Sequence, residues 1–369
     1  MDMPDTAGRR TRDALLALSL LLSACHDARD SSRTARQITV DTVPATAIPA
    51  TAPDGAILFG QAEGATRFSN GNVAIADRSD ATIRVFDPDG RPIRRIGRKG
   101  RGPGEFEYIS ALAQCGADSL YAFDYGLQRV TVYDSAGALQ RTAYLPPTAM
   151  MTCSTSGVVI LVQPLLDFFR PTEQNAGRLQ HVPVSLIHGA DTVRLYDSLP
   201  AADPRLGGRV PAFAVAGSHA FVGLTDSAFA TRFDSTGTRR GEVRVSADPL
   251  PQTRAGFERA LDVFFSRPDE ASLKSMKPMF AKLPHPRLAP AYSALFGSPD
   301  GTLWTLLSTP LDSVTRLRAT DPAGAPLGNV TLPFPMTTFE IGNGYILGLR
   351  ENGLGEQRVV VYRMGGMGR

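Results

Sequence analysis

Cysteine is scarce: three in 369 residues, too few for the disulfide framework that holds small secreted folds together. Tryptophan occurs once and histidine five times. His26, His181, His188, His219 and His285 never fall at a metal-ligand spacing such as His-x-x-x-His, so no zinc site is written in the chain. A large excess of one charge is also missing. The formal net charge is +3, which argues against a chain built mainly to hold nucleic acid, where a strong basic stripe is expected. No Gly-x-Ser-x-Gly elbow marks a serine hydrolase. The N-terminal apolar run, Ala14 to Ala24, has eleven residues, whereas a spanning helix needs about 20.

That run follows Arg9, Arg10 and Arg12 and ends in Leu22-Ser23-Ala24-Cys25. Basic flank, short apolar segment and small residues stand in the order of a secretory signal. The ending resembles a bacterial lipobox. The resemblance implies a signal peptide over 1–24, cleavage before Cys25 and acylation of its thiol. His26 then stands where an aspartate retains some lipoproteins at the inner membrane. The expected address is therefore the cell envelope, with the outer membrane favoured and the acyl chains as the membrane contact. Residues 25–53 are rich in Ser, Thr, Ala, Asp and Pro and read as a flexible tether. Ile38–Val43 is a candidate closing strand, and 54–369 is the folded body.

Glycine (35) and proline (28) are plentiful and punctuate short apolar runs, which points to an all-β fold with many turns. One unit reads Asn70-Gly71, Val73 to Asp77, Ala81 to Asp87, Asp89-Gly90 and Arg91 to Ile96. Apolar and polar residues alternate in its strands, and Asp-Gly or Asn-Gly marks its hairpins. The order recurs from Gly116 to Leu145 and, more weakly, near Gly157, Ser218, Gly301 and Gly344. Most marker spacings suit a four-stranded propeller blade, about 40–50 residues in known repeats. Six markers give six blades, and the wide spacings before Ser218 and Gly301 require insertions.

The segment Gly97-Arg-Lys-Gly100-Arg-Gly102-Pro-Gly104-Glu105-Phe106 resembles the inter-blade linker of NHL-type propellers. Asp77, Asp87, Asp124, Arg129 and Asp134 fall at repeat positions that are similar to the same family. The resemblance covers roughly 68–145 and implies structural roles for these residues. The glycine-rich linker lacks the Gly-Lys-Ser/Thr ending of a phosphate loop and does not open a helix. Cys115 and Cys153 precede the first turns of adjacent blades. They are a candidate disulfide, with two buried thiols as the alternative.

Between the fourth and fifth markers, in the fifth-blade region, the pattern turns helical. Phe257, Leu261, Phe264 and Phe265 share a helical spacing over Thr253–Phe265. Acidic residues then precede lysines from Pro268, and Lys277-Pro278 is expected to end or kink the helix. The insertion spans about 253–282. Its aromatics are read first as cover for a blade edge, and second as a lid or docking element.

The expected fold is an all-β, six-bladed β-propeller with this short helical insertion. No catalytic constellation, metal or cofactor is expected. Calcium on the axis through Asp77, Asp124 or Asn343 is the weaker alternative, since turn-capping explains the aspartates. The expected function is an envelope-anchored, non-catalytic scaffold for a protein or peptide. The alternatives are glycan or small-ligand binding in the axial channel, or a propeller enzyme of lactonase, esterase or lyase type. Trp304 is expected inside a blade.

Overall fold

A computed structural model describes residues 36–365 apart from 117, 149, 155, 163–178, 202–208, 267–276 and 310–311. The expected signal peptide, Cys25 and His26 lie outside the described residues, as do 366–369.

Six antiparallel sheets form six blades. Blade 1 comprises Ala62–Arg67, Val73–Asp77, Thr82–Phe86 and Pro92–Ile96, and blade 2 Ile109–Cys115, Ser119–Asp124, Arg129–Tyr133 and Leu139–Tyr144. Blade 3 comprises Met150–Cys153, Val158–Val162, Gln180–His188 and Asp191–Ala201, and blade 4 Pro211–Ala216, His219–Leu224, Phe229–Phe233 and Arg239–Arg244. Blade 5 comprises Ala294–Gly297, Leu303–Leu306, Thr315–Thr320 and Pro326–Leu332. Blade 6 takes Thr337–Gly342, Tyr345–Glu351 and Gln357–Gly365 from the C-terminal end of the chain. Each first strand contacts the first strand of the next blade, and the sixth returns to the first, so the ring is closed.

The fourth strand of blade 6 is Thr46–Pro49, paired antiparallel with Gln357–Gly365. Closure thus falls a few residues beyond the expected Ile38–Val43. The Ile38 side chain is instead buried with Trp304 and Leu317, and Thr39–Val40 pairs only with the last two residues of the blade 6 strand. Arg36–Gln37 adds a fifth, parallel strand to blade 5. Residues 36–50, expected as part of the tether, instead add strands to blades 5 and 6, with Ile38 and Ile48 buried in the cores.

Turn chemistry explains why these segments form hairpins. In the third turns of blades 1, 2, 4 and 5, an aspartate carboxylate accepts the backbone N–H four residues on. The pairs are Asp87–Arg91 (2.8 Å), Asp134–Ala138 (2.9 Å), Asp234–Thr238 (3.0 Å) and Asp321–Ala325 (2.8 Å). The intervening glycines, Gly90, Gly137, Gly237 and Gly324, have φ between 79° and 94°, a region where a side chain is strained. Hydrogen bonding holds the Asp234 carboxylate well below its ordinary pKa, chiefly through the Thr236 hydroxyl and then through Arg240. Blade cores are apolar, and Trp304 is fully buried, its indole N–H donating to Ser298 Oγ at 2.8 Å.

Strand direction gives the disc two distinct faces. Face I carries the first and third turns of the blades. Face II carries the second turns and the linkers from one blade to the next. Arg36 enters near the face I end of the blade 5 outer strand, opposite Gly328.

The helical insertion leaves from face II between blades 4 and 5. Helix α1 is Arg254–Ser266 and helix α2 is Lys277–Lys282. Lys277-Pro278 opens α2 and does not end a helix; proline is tolerated in a first turn, where its missing N–H has no partner to lose. Thr253 Oγ1 accepts the Gly256 N–H at 3.1 Å, capping α1. Phe257, Leu261, Phe265 and Phe280 pack on one another in a small core. They do not serve as the blade-edge cover expected first, because i, i+4, i+8 spacing turns them all toward α2. The Phe264 side chain is outside the described residues.

Candidate functional site: the axial cavity and the stalked hairpin

The first strands of all six blades wall an axial cavity of about 270 Å³. Leu112, Met151, Val215, Leu295 and Phe296 give it apolar wall from blades 2 to 5. A polar strip crosses blades 6, 1 and 2. Glu340 accepts hydrogen bonds from the Thr66 hydroxyl and from the Tyr345 phenol, and its Oε2 also lies 3.4 Å from the Arg67 N–H. Thr66 Oγ1 in turn accepts the Gln114 N–H at 3.1 Å. The Arg67 guanidinium lies over the Tyr345 ring, 4.8 Å from its centroid. That ring lies where a Cβ on residue 342 would be, so Gly342 makes room for it.

Burial pushes the Glu340 carboxyl above its ordinary pKa, and its three donors only partly offset this. Burial likewise raises the Tyr345 phenol, and the Glu340 charge adds to the shift. Sequence reasoning missed both residues. Each sits in an ordinary strand pattern, and only the ring places Glu340 against Thr66, 274 positions away.

The predicted repeat residues are structural. Asp77 accepts the N–H groups of Gly60 (3.1 Å) and Gln61 (3.2 Å), and Asp124 those of Glu107 (2.8 Å) and Tyr108 (3.2 Å). Each carboxylate thus latches the linker entering its own blade. Arg129, buried at 2% exposure, donates to the carbonyls of Arg101 (2.9 Å), Gly102 (2.7 Å) and Glu105. Within that linker, Glu105 accepts the Gly102 N–H at 2.8 Å and pairs with Arg98 at 2.8 Å, so its carboxyl is held below the usual range. Phe106 is fully buried, and its ring occupies the space a Cβ on Gly97 would need. Gly100 and Gly104 take positive φ in the same loop.

Cys115 and Cys153 end the first strands of blades 2 and 3 and are paired as a disulfide, with Cα atoms 5.8 Å apart. The bond belongs to a polar girdle on face I that crosses all six blade joints. Its members are Ser69–Asp118 (2.5 Å), Gly116–Ser154 (3.3 Å), Ser156–Gly217 (2.8 Å), Gly217–Ser298 (3.1 Å), Ser298–Ile341 (3.2 Å) and Thr66–Glu340.

Among the described residues no three His, Cys, Asp or Glu side chains group as a metal site. Asn343 Oδ1 faces the Asp300 N–H at 3.3 Å. His181 Nδ1 and Ser198 Oγ are 2.6 Å apart, but the pair is exposed on the outer strands of blade 3, away from the cavity. Burial lowers the His219 pKa.

On face II the insertion stands on a two-stranded neck. The Gln252 N–H donates to Arg287 O at 3.0 Å, and the Ala289 N–H donates to Leu250 O at 2.8 Å. Arg254 closes the hairpin by donating to the carbonyls of Leu283 (3.1 Å) and Ala281. Tyr292 re-enters the blade 4 core fully buried, which raises its phenol pKa. Among the described residues, five large apolar side chains are more than 70% exposed: Val43, Ile57, Tyr144, Leu250 and Leu354. All but Val43 lie on face II.

Closed ring, four-stranded blades and axial cavity define a six-bladed β-propeller. The family described as DUF5128, a six-bladed beta-propeller, matches residues 59–158. No curated protein matches the chain by sequence. Among solved structures, a member of the duf4221 family from Bacteroides vulgatus ATCC 8482 is similar over 89% of this chain and 99% of its own, at 11% identity and a TM-score of 0.54. Virginiamycin B lyase from Staphylococcus aureus, in a catalytically inactive form with quinupristin, has 10% identity and a TM-score of 0.44, covering 85% of this chain and 87% of its own. Regucalcin from Agrobacterium tumefaciens strain C58, a calcium-binding protein, has 11% identity and a TM-score of 0.45, covering 90% and 95%. At these identities the likeness concerns the fold alone. No helix among the described residues is long and apolar enough to cross a membrane.

Proposed function

We propose that the protein is a lipid-anchored binding propeller of the bacterial envelope that holds a protein or peptide partner on face II through the stalked hairpin. One observation carries this reading: the hairpin has its own apolar core and a separate neck, so its aromatics are not spent on covering a blade. A long excursion from a compact domain is more often functional than a plain connection. Tyr144, Leu250, Leu354 and Ile57 are also exposed on the same face.

The described chain begins at Arg36 near face I, whereas the hairpin leaves from face II.

The test compares the full chain with a form in which 253–286 is replaced by a short Gly-Ser link, crosslinked in the native envelope. Loss of the crosslinked partner with unchanged β circular dichroism supports the reading. Retention of the same partner overturns it. Cys25→Ala is expected to move the protein from the membrane to the soluble fraction.

A further inference from the structure

We infer that the axial cavity is a separate binding site for a small organic cation with an apolar body, an alkyl- or arylammonium ion. Size sets the first limit. At about 270 Å³ the cavity lies just under the small-ligand range of roughly 300–1,000 Å³, so it admits a compact molecule and no polymer.

Charge sets the second limit. Two carboxylates line the cavity, Glu63 and Glu340. Glu63 has a phenol, Tyr108 Oη at 2.9 Å, and a guanidinium, Arg78 at 3.6 Å. Glu340 has hydrogen-bond donors, but no ion pair ends on it among the described residues. Arg67, the guanidinium that acts on it, is turned over the Tyr345 ring instead. A carboxylate withdrawn from bulk water and held by hydrogen bonds rather than by an ion pair is costly to ionise. An ammonium group entering the cavity supplies the countercharge. Each Glu340 oxygen has more than one lone pair, so the carboxylate can accept from it while keeping Thr66 and Tyr345.

The remaining wall suits the ligand's body. Leu112, Leu295 and Phe296 offer apolar contact in the same cavity. Phe296 and Tyr345 add aromatic rings to the lining. Where Glu340 is ionised, a neutral ligand leaves its charge without an ion pair, and an anion adds to it.

The probes are phenethylammonium, its neutral counterpart 2-phenylethanol and the anion phenylacetate, titrated calorimetrically into the full-length protein. At pH 8 the ammonium ion is expected to bind at least tenfold tighter than the alcohol, with no measurable binding of the anion. Glu340→Gln is expected to remove that preference. Because Glu340 also joins blades 6 and 1, a second measurement uses the unaltered protein: ammonium affinity falls as pH is lowered and Glu340 takes up a proton, while alcohol affinity stays flat. Equal affinity for ammonium and alcohol overturns the proposal. So does a preference for phenylacetate, or no binding of any probe at millimolar concentration. These outcomes are independent of the crosslinking experiment, which reads the hairpin.

Discussion

Reducing the Cys115–Cys153 bond tests how the ring is held. The linked positions are 38 residues apart. In the chain-entropy model such a loop removes about 13 cal/mol/K from the unfolded state, or about 4 kcal/mol at 25 °C. The native side adds little in either direction. Cys115 is 1% exposed in an apolar setting, and a buried thiol there behaves as a small hydrophobe. Unfolding entropy runs near 2.1 cal/mol/K per residue, so a ring of roughly 330 residues has about 0.7 kcal/mol/K at its midpoint. Loss of the bond should therefore lower Tm by about 5–6 °C.

The assay is thermal denaturation of a soluble form beginning after Cys25, oxidised and reduced, beside Cys115→Ala/Cys153→Ala. Thiol titration of the unfolded oxidised protein should find no free thiol. Two titratable thiols, or a shift below about 1 °C on reduction, would refute the reasoning. An intermediate shift accompanied by loss of a single step of unfolding would locate the effect at the joint of blades 2 and 3.

Two further perturbations address the inner ring. Arg129→Met keeps the stem but removes a buried guanidinium that serves three linker carbonyls; the carbonyls lose their donors, and chemical denaturation should show a loss of about 3 kcal/mol. For Glu340 the folded pKa is raised, so the folded state holds the proton longer than the unfolded one. Its penalty is absent below the ordinary glutamate value and grows as pH rises through the folded value. Glu340→Gln should therefore gain stability relative to the parent as pH is raised from 4 to 8; a difference that stays constant with pH would refute the shift.

How much was legible follows from which contacts are local. The third turns could be read because the aspartate and the N–H it caps are four residues apart, with a glycine between. Asp77 and Asp124 could be read as repeat residues because two blades share them, but the linker N–H groups they accept lie 16 or 17 residues upstream and were not visible. Blade 4 performs that task with Thr225, whose hydroxyl accepts the Val210 N–H at 3.0 Å. The role persists there while the motif is lost, which is why the later blades could be followed only by spacing. The stretch read as a strand over Ile38–Val43 joins the blade 6 sheet through Thr39–Val40, while the longer closing pairing falls at Thr46–Pro49. The axial cluster could not be read at all. Nothing local distinguishes Glu340 or Thr66 from any half-buried strand residue until the ring brings blades 6 and 1 together.

Closure also explains where the chain varies in length. On face I the first turns must present backbone groups to the neighbouring blade, as Gly116 does to Ser154 and Gly217 to Ser298. A longer turn there would break the girdle, so these turns stay short: the strands ending at Ala216 and starting at His219 leave two residues between them. Face II carries the second turns and the linkers from blade to blade. The long connections fall there, between Val162 and Gln180, between Ala201 and Pro211, and between Arg244 and Ala294. The wide repeat spacings before Ser218 and Gly301 are these same segments. Length is therefore taken up on face II, whereas an insertion on face I would cost the ring its inner links.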